Sequence, residues 1–475
     1  MIIDTERVDT VIVGAGFAGI GMGAQLKRAG KDSFVILERA ADVGGTWRDN
    51  TYPGVASDVP AHLYSYAFRP RYPWSRLFAP GREIHNYLRQ TVRDERLADH
   101  IRLDTEVLDI RWNGERWDVT TSTGFVSACS VVLAAGRLSE PAMGGVDGDF
   151  DGLAFHSSQW PDRLDLTGLR VGVIGTGSSA AQLVPAIAAL ASSLVVFQRS
   201  APWVIPRGDR EATYDDYDEL FAEAEKGFAA RALEPAALAE LRRRAENHRS
   251  TQVSDPALRA KLTPDYEIGC KRVVISDEFY PAFGLGSVTV EASAVARVEG
   301  SRVVSSAGSS YELDVLIYAT GFIATRPPYA RIVTGRDQTL AEHWTDGMRA
   351  FASTAVAGFP NLFILNGPNA TLGHNSAIHV IESQIGYVLG ALDHIDSVGT
   401  IEVSARAENS YVEDVDAMGA NTVWMSGCTS WYLDDTTRRL ALIWPGTAES
   451  FRRRNGVFDP APYVMPVLAG RRDTA

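Results

Sequence analysis

The sequence predicts an α/β protein with two Rossmann-like units, the second inserted into the first. Three observations carry that prediction. Two glycine-rich loops, Gly14 to Gly19 and Gly175 to Ala180, each follow an apolar strand and open an apolar helix. Each helix leads to a further apolar strand, so strand, loop, helix and strand occur twice in order. Two later strand ends, Ala134-Ala135-Gly136 and Ala319-Thr320-Gly321, read as the points where the chain passes between the units.

In the first unit, Val8 to Val13 reads as a buried parallel strand and Gly14, Gly16 and Gly19 supply G-x-G-x-x-G. These glycines allow a tight turn, close backbone approach to a pyrophosphate and close helix–strand packing. The helix N-terminus offers free N–H groups to phosphate oxygens. Phe34 to Leu37 is the second strand, and Glu38 ends it about 20 residues after the loop, the spacing at which an acid meets an unphosphorylated ribose.

The second unit repeats the pattern with Val171 to Ile174 as strand and Gly175, Gly177 and Ala180 as G-x-G-x-x-A. Its next strand, Leu194 to Phe197, is followed by Gln198, Arg199 and Ser200, with no acid. A carboxylate there repels a 2′-phosphate, whereas a guanidinium binds one through paired charge-assisted bonds. The first site therefore suits FAD and the second NADPH rather than NADH.

A chain of 475 residues exceeds one compact core, so two or three domains are expected. Residues 1–145 begin the FAD domain, 146–314 form the NADPH domain, and 315–475 complete the FAD domain around a strand from Asp314 to Ala319. Within the insert, residues of about 211–262 carry apolar side chains at helical spacing (Leu220, Phe221, Ala224, Phe228). They read as a small helical subdomain, either a wall of the substrate cavity or a packing appendage. Hydrophobic residues at 45% and charged residues at 22% fit a globular protein. A formal charge of −13 argues against nucleic acid or an anionic membrane surface as partner. Cys129, Cys270 and Cys428 include no C-x-x-C pair, which excludes disulfide-reductase chemistry and a cysteine zinc site; no metal is expected. No apolar run approaches the roughly 20 residues of a membrane span, and the first one leads straight into a glycine loop rather than a leader cleavage site. A cytoplasmic enzyme is expected, with its oligomeric state open.

Between the two loops lies FDGLAFHSSQWP, Phe150 to Pro161. Its pattern F-x-G-x-x-x-H-x-x-x-W-P resembles the fingerprint of the type I Baeyer–Villiger monooxygenases. These belong to the flavin-containing monooxygenase superfamily and insert an oxygen atom beside a ketone. The run GGTWRDNTYPGVASD, Gly44 to Asp58, resembles the family motif along the flavin, with Ser57 where Cys is frequent. Its wording is similar to the 4-hydroxyacetophenone monooxygenase branch. GRLSEP at 136–141, YATGF at 318–322 and GPNATLGHNS at 367–376 are also similar to family segments, so the resemblance spans nearly the whole chain.

The resemblance implies that NADPH reduces FAD, that O2 then gives a C4a-peroxyflavin, and that this species as an anion converts a ketone to an ester or lactone. It places Phe17, Ala18, Arg39, Gly45, Thr46, Trp47, Asp58, Tyr64 and Val107, with the first loop and Glu38, around FAD. Thr176, Ser178, Ser179, Gln182, Arg199, Ser200 and Lys271, with the second loop, fall to NADPH. The segment GCKRVVISDEFY, Gly269 to Tyr280, resembles the stretch that supplies a permanent cation, so Arg272 is the expected catalytic residue and Asp58 its orienting carboxylate. Trp431, in CTSWYLDD, resembles a loop tryptophan that touches the nicotinamide cofactor. His156 is expected to couple domains rather than act as a base. Two alternatives share both nucleotide sites: an N- or S-hydroxylating flavin monooxygenase, and a non-oxygenating NADPH-linked flavoprotein.

Overall fold

The computed structural model describes residues 6–213 and 217–464. Three of its elements frame the first loop. The strand β1 (Glu6–Val13) leads through the loop into α1 (Phe17–Arg28), and β2 (Phe34–Leu37) pairs parallel to β1. Nine of the twelve α1 residues are buried, because the helix is wedged between its sheet and the rest of the domain. The chain then forms the single-turn α2 (Thr46–Asp49), α3 (Gly81–Asp94) and β3 (Ile101–Arg102), which extends the sheet beyond β2. The strands β4 (Val107–Trp112), β5 (Trp117–Thr121) and β6 (Gly124–Leu133) form an antiparallel meander, and β6 returns parallel to β1.

After β6 the chain builds a second sheet. It contains β7 (Leu153–His156), β8 (Arg170–Ile174) and β9 (Ser193–Phe197), with α4 (Ser178–Ala188) crossing from β8 to β9. A short strand β10 (Val204–Ile205) precedes three helices, α5 (Tyr217–Arg231), α6 (Pro235–Gln252) and α7 (Pro256–Lys261). These fill the expected helical insert; positions 214–216 lie outside the described residues. Next, β11 (Val274–Ile275) pairs with β10, and β12 (Val288–Glu291) joins the sheet beside β9. An antiparallel meander, β13 (Val295–Glu299), β14 (Arg302–Ser305) and β15 (Ser310–Glu312), leads to β16 (Val315–Tyr318).

This last strand corrects the domain boundary expected from sequence. β16 lies parallel between β8 and β7, giving the order β12-β9-β8-β16-β7. All four of its residues, Val-Leu-Ile-Tyr, are buried, as an interior strand covered on both faces requires. The chain therefore returns to the first unit after Tyr318, not at residue 315. There β17 (Val333–Thr334) pairs with β4 and β18 (Leu362–Ile364) pairs with β6. A 22-residue helix, Ala377–Val398, packs against α1; Ser376 caps it by accepting from the Ile378 N–H. The tail 465–475 lies outside the described residues.

Candidate active site

Both glycine loops end in a helix with no side-chain cap: Gly16 precedes α1 and Gly177 precedes α4. Their first-turn N–H groups, at Phe17 and Ala18 or Ser178 and Ser179, thus lack a side-chain acceptor, the condition for receiving a pyrophosphate. A Cβ on Gly177 would meet nothing within 4 Å, so the second loop has open space over it. The third position of the first fingerprint is steric: a Cβ on Gly19 would stand 1.8 Å from the carbonyl oxygen of Gly14. The residues present therefore fit two dinucleotides.

Around the first loop, Glu38 is buried at the end of β2. Its carboxylate accepts from the Ala15 and Ala40 N–H groups at 2.9 and 3.1 Å and from Arg48 Nη1 at 2.9 Å. Sequence reading gave Glu38 to a ribose; the structure adds the Arg48 bond. Arg39 is exposed and pairs with Glu140 at 2.7 Å. The Cα atoms of Gly45 and Gly16 lie close, which sets Thr46 and Trp47 beside the loop. Trp47 Nε1 donates to the Tyr64 hydroxyl at 3.3 Å, and burial pushes the Tyr64 phenol up to about 12. Val107 opens β4 and packs against the core of the first sheet.

The second site differs in charge. Arg199 is exposed at the end of β9, and Lys271 Nζ donates to Ser200 Oγ at 2.9 Å while lying 4.3 Å from the Tyr266 ring centroid. Burial, then the charge of Arg199, lowers the Lys271 pKa. Thr176 Oγ1 donates to the Ser200 carbonyl at 3.1 Å and ties the loop to the same corner. Two neighbouring cations, with Asp265 acting on Lys271 in the opposite sense, give this corner the charge that suits a phosphate dianion.

The units meet at Gln182. Its Nε2 donates to the Ala56 carbonyl at 3.0 Å and its Oε1 accepts from the Tyr52 hydroxyl at 3.0 Å. Gly54 lies here with φ +84, and a Cβ on it would stand 2.6 Å from the Gln182 carbonyl oxygen, so only glycine allows this approach. His156, fully buried, faces the other crossing: Nε2 donates to the Gly321 carbonyl at 3.0 Å and Nδ1 lies 2.8 Å from Ser158 Oγ. Trp160 packs edge-on against Phe155.

Between the two loops, Arg272 and Asp58 converge. Arg272 lies two residues before β11, and its Nε donates to Asp58 Oδ2 at 2.7 Å. The Asp58 charge and hydrogen bond raise the guanidinium pKa against the effect of burial. Burial opposes ionisation of Asp58, yet Arg272 holds its carboxyl below the usual range, with Arg207 adding to the effect. Both side chains stay charged. About a quarter of each remains reachable, 27% and 28%, so the pair faces a cleft rather than a sealed core.

Four features of this region escaped sequence reading. Arg137 and Arg231 are both buried at 9% exposure, and Tyr432 is buried completely. Arg231 ends α5, so the helical insert contributes directly to the site. Tyr432 is adjacent to Trp431, which is 40% exposed and packs against it with tilted rings at 4.5 Å between centroids. The fourth feature is a disulfide joining Cys270 to Cys428. It fastens the segment of Lys271 and Arg272 to the loop of Trp431 and Tyr432. The adjacency of Tyr432 to Trp431 and of Cys270 to Lys271 was the only local signal.

Fold and site define a protein that binds two dinucleotides on separate α/β units around an Arg–Asp pair set in a cleft. A family profile described as pyridine nucleotide-disulphide oxidoreductase matches residues 11–217. A Baeyer–Villiger monooxygenase of Streptomyces coelicolor is 40% identical over 99% of this chain and 96% of its own length. One of Pseudomonas aeruginosa is 39% identical over 96% of this chain and 90% of its own. Among solved structures, cyclohexanone monooxygenase from Rhodococcus bound to NADP+ aligns with a TM-score of 0.86 at 26% identity, over 95% of this chain and 97% of that one. An oxidized steroid monooxygenase bound to NADP aligns at 0.84 and 29% identity, over 94% and 96%. An OTEMO complex with FAD and NADP aligns at 0.85 and 27% identity, over 95% and 97%. The chain belongs to the Baeyer–Villiger monooxygenases.

Proposed function

We propose that this protein is an FAD- and NADPH-dependent monooxygenase that uses O2 to convert a ketone to an ester or lactone. The observation that carries the reading is the Arg272–Asp58 pair standing in a cleft between two glycine-loop sites. FAD binds at the loop Gly14–Gly19 with Glu38, and NADPH at Gly175–Ala180 with Arg199, Ser200 and Lys271. Bound together, the nicotinamide nucleotide would supply hydride and the reduced flavin would activate O2 from solution as a nucleophile.

The chain supplies the rest. Arg272 places a permanent positive charge where the carbonyl oxygen gains negative charge, and such fixed charge lowers a barrier most in a site shielded from water. Asp58 holds the guanidinium plane and prevents it from swinging away. Gln182, Tyr52 and Ala56 keep the two nucleotide sites in register, and His156 fixes the return crossing at Gly321. No described helix is long and apolar enough to cross a membrane, and a cytoplasmic location is proposed with the nucleotide supply it offers.

The test is turnover of NADPH with cyclohexanone under 18O2 by purified holoenzyme. Lactone carrying one labelled atom per NADPH consumed supports the reading. NADPH consumption with only hydrogen peroxide as product from every ketone tried, or oxygenation of amines and sulfides alone, overturns it.

A further inference from the structure

The cleft holds more positive charge than Asp58 balances. Among the described residues, Arg137 and Arg231 form no ion pair. Arg137 Nη1 donates one long bond, 3.4 Å, to the Asn366 carbonyl. Arg231 donates to the carbonyls of Gly227 and Gly373 at 2.6 and 3.4 Å. Burial brings each guanidinium down to about 10, so both remain charged at neutral pH. Both lie within electrostatic reach of Arg272 and of Tyr432. The Tyr432 hydroxyl is fully buried and makes no hydrogen bond of good geometry, although Arg272 stands within reach.

An uncompensated buried cation and an unsatisfied buried hydroxyl are both costly. Here two such cations and one such hydroxyl come from three separate segments: the chain crossing at Gly136, the end of α5, and the loop after the disulfide. Backbone carbonyls satisfy part of the hydrogen bonding but none of the charge. Even with one negative charge on a reduced flavin ring, one guanidinium remains uncompensated.

We propose that Arg137 and Arg231, each within reach of Tyr432, receive the carboxylate of the substrate, and that the preferred ketones are oxo acids. The assignment rests on the monooxygenase reading above and narrows its substrate class. The planar guanidinium fork matches a carboxylate, and the hydroxyl donates the remaining bond. Asp58 in the same cleft repels added negative charge, which favours a monoanion over a phosphate dianion. Arg272 is left free for the reacting carbonyl.

The probes are 3-oxocyclohexanecarboxylate and its methyl ester, with holoenzyme of verified flavin content. Wild type is expected to favour the acid in kcat/KM by roughly 10- to 100-fold, the worth of one charge-assisted hydrogen bond. Arg137→Met and Arg231→Met bring the acid-to-ester ratio toward one, and Arg137→Lys, which keeps the charge, retains part of it. Calorimetric binding of the unreactive cyclohexanecarboxylate to oxidised holoenzyme reads the site without turnover. It should weaken by a similar factor in each Met variant. Equal use of acid and ester by wild type, or unchanged carboxylate binding in both Met variants, overturns the proposal. If neither ketone is oxygenated while the carboxylate still binds through these arginines, the reaction assignment fails and the anion site stands.

Discussion

Arg272 Nε and Asp58 Oδ2 are 2.7 Å apart although 214 residues separate them in the chain. One lies next to a strand of the inserted unit and the other ends the loop that borders the first glycine turn. Their bond therefore spans the seam between the nucleotide sites. Arg272→Ala should leave reduction of the flavin by NADPH largely intact and lower ester formation by at least about 100-fold. Hydrogen peroxide should replace ester mole for mole. Wild-type ester yields from this variant would remove Arg272 from the reaction.

The corner of Arg199, Ser200 and Lys271 should set the choice of nucleotide. Lys271→Ala or Arg199→Ala is expected to raise KM for NADPH by about 10- to 100-fold, as loss of a charged hydrogen bond does. KM for NADH should change little. Parallel rises for both nucleotides would place these side chains away from the 2′-phosphate.

Glu225 on α5 fastens the helical insert to the first unit. It accepts from Asn375 Nδ2 and from the Ala448 and Glu449 N–H groups at 2.9, 3.0 and 3.2 Å, and lies 3.4 Å from His374 Nε2. Burial acts the other way, but His374, Asn375 and the two N–H groups hold its carboxyl down to about 2. This stabilisation is present above the ordinary value of 4.5 and is lost as pH falls through about 2. Glu225→Ala should loosen α5 and cost about 1–3 kcal/mol. Limited proteolysis within 211–262 at neutral pH measures it, and unchanged cleavage rates would contradict the clamp.

Glu382 titrates in the opposite sense. Burial pushes its carboxyl up to about 7, although Ala67 N–H donates to it at 2.7 Å and Arg452 lies near. The folded value exceeds the ordinary 4.5, so stability is fully present below about 4.5 and is lost as pH rises to about 7. Glu382→Gln keeps an acceptor for Ala67 and removes the charge. It should gain up to about 3 kcal/mol over wild type at pH 8 relative to pH 4.5. Denaturant melts at the two pH values decide, and parallel curves would refute it.

The Cys270–Cys428 disulfide closes a loop with a sequence separation of 158. By the chain-entropy argument such a link stabilises by about 5 kcal/mol. Cys428→Ser, or reduction of the native protein, should lower the melting temperature and raise KM for NADPH by freeing the Trp431 loop. A variant with unchanged melting and unchanged KM would show that the tether is not formed or not needed.

The sequence revealed what is local. Each nucleotide loop is a contiguous pattern, and Arg272 and Asp58 each sit in a motif readable by resemblance. Arg137, Arg231 and Tyr432 left no pattern because three distant segments bring them together. The cysteine pair was hidden for the same reason, since spacing of that length predicts no bond. β16 was assigned to the wrong sheet because four apolar residues announce a buried strand but not its neighbours.

The pairing of β18 with β6 imposes an order on synthesis. Val131 to Leu133 gain Leu362 to Ile364 as their partner only after about 230 further residues leave the ribosome, some tens of seconds at roughly 5–20 residues per second. During that interval the nascent chain carries an open, wholly apolar sheet edge, the kind of template on which chains aggregate. Any chain cut short before β18 leaves that edge unpaired.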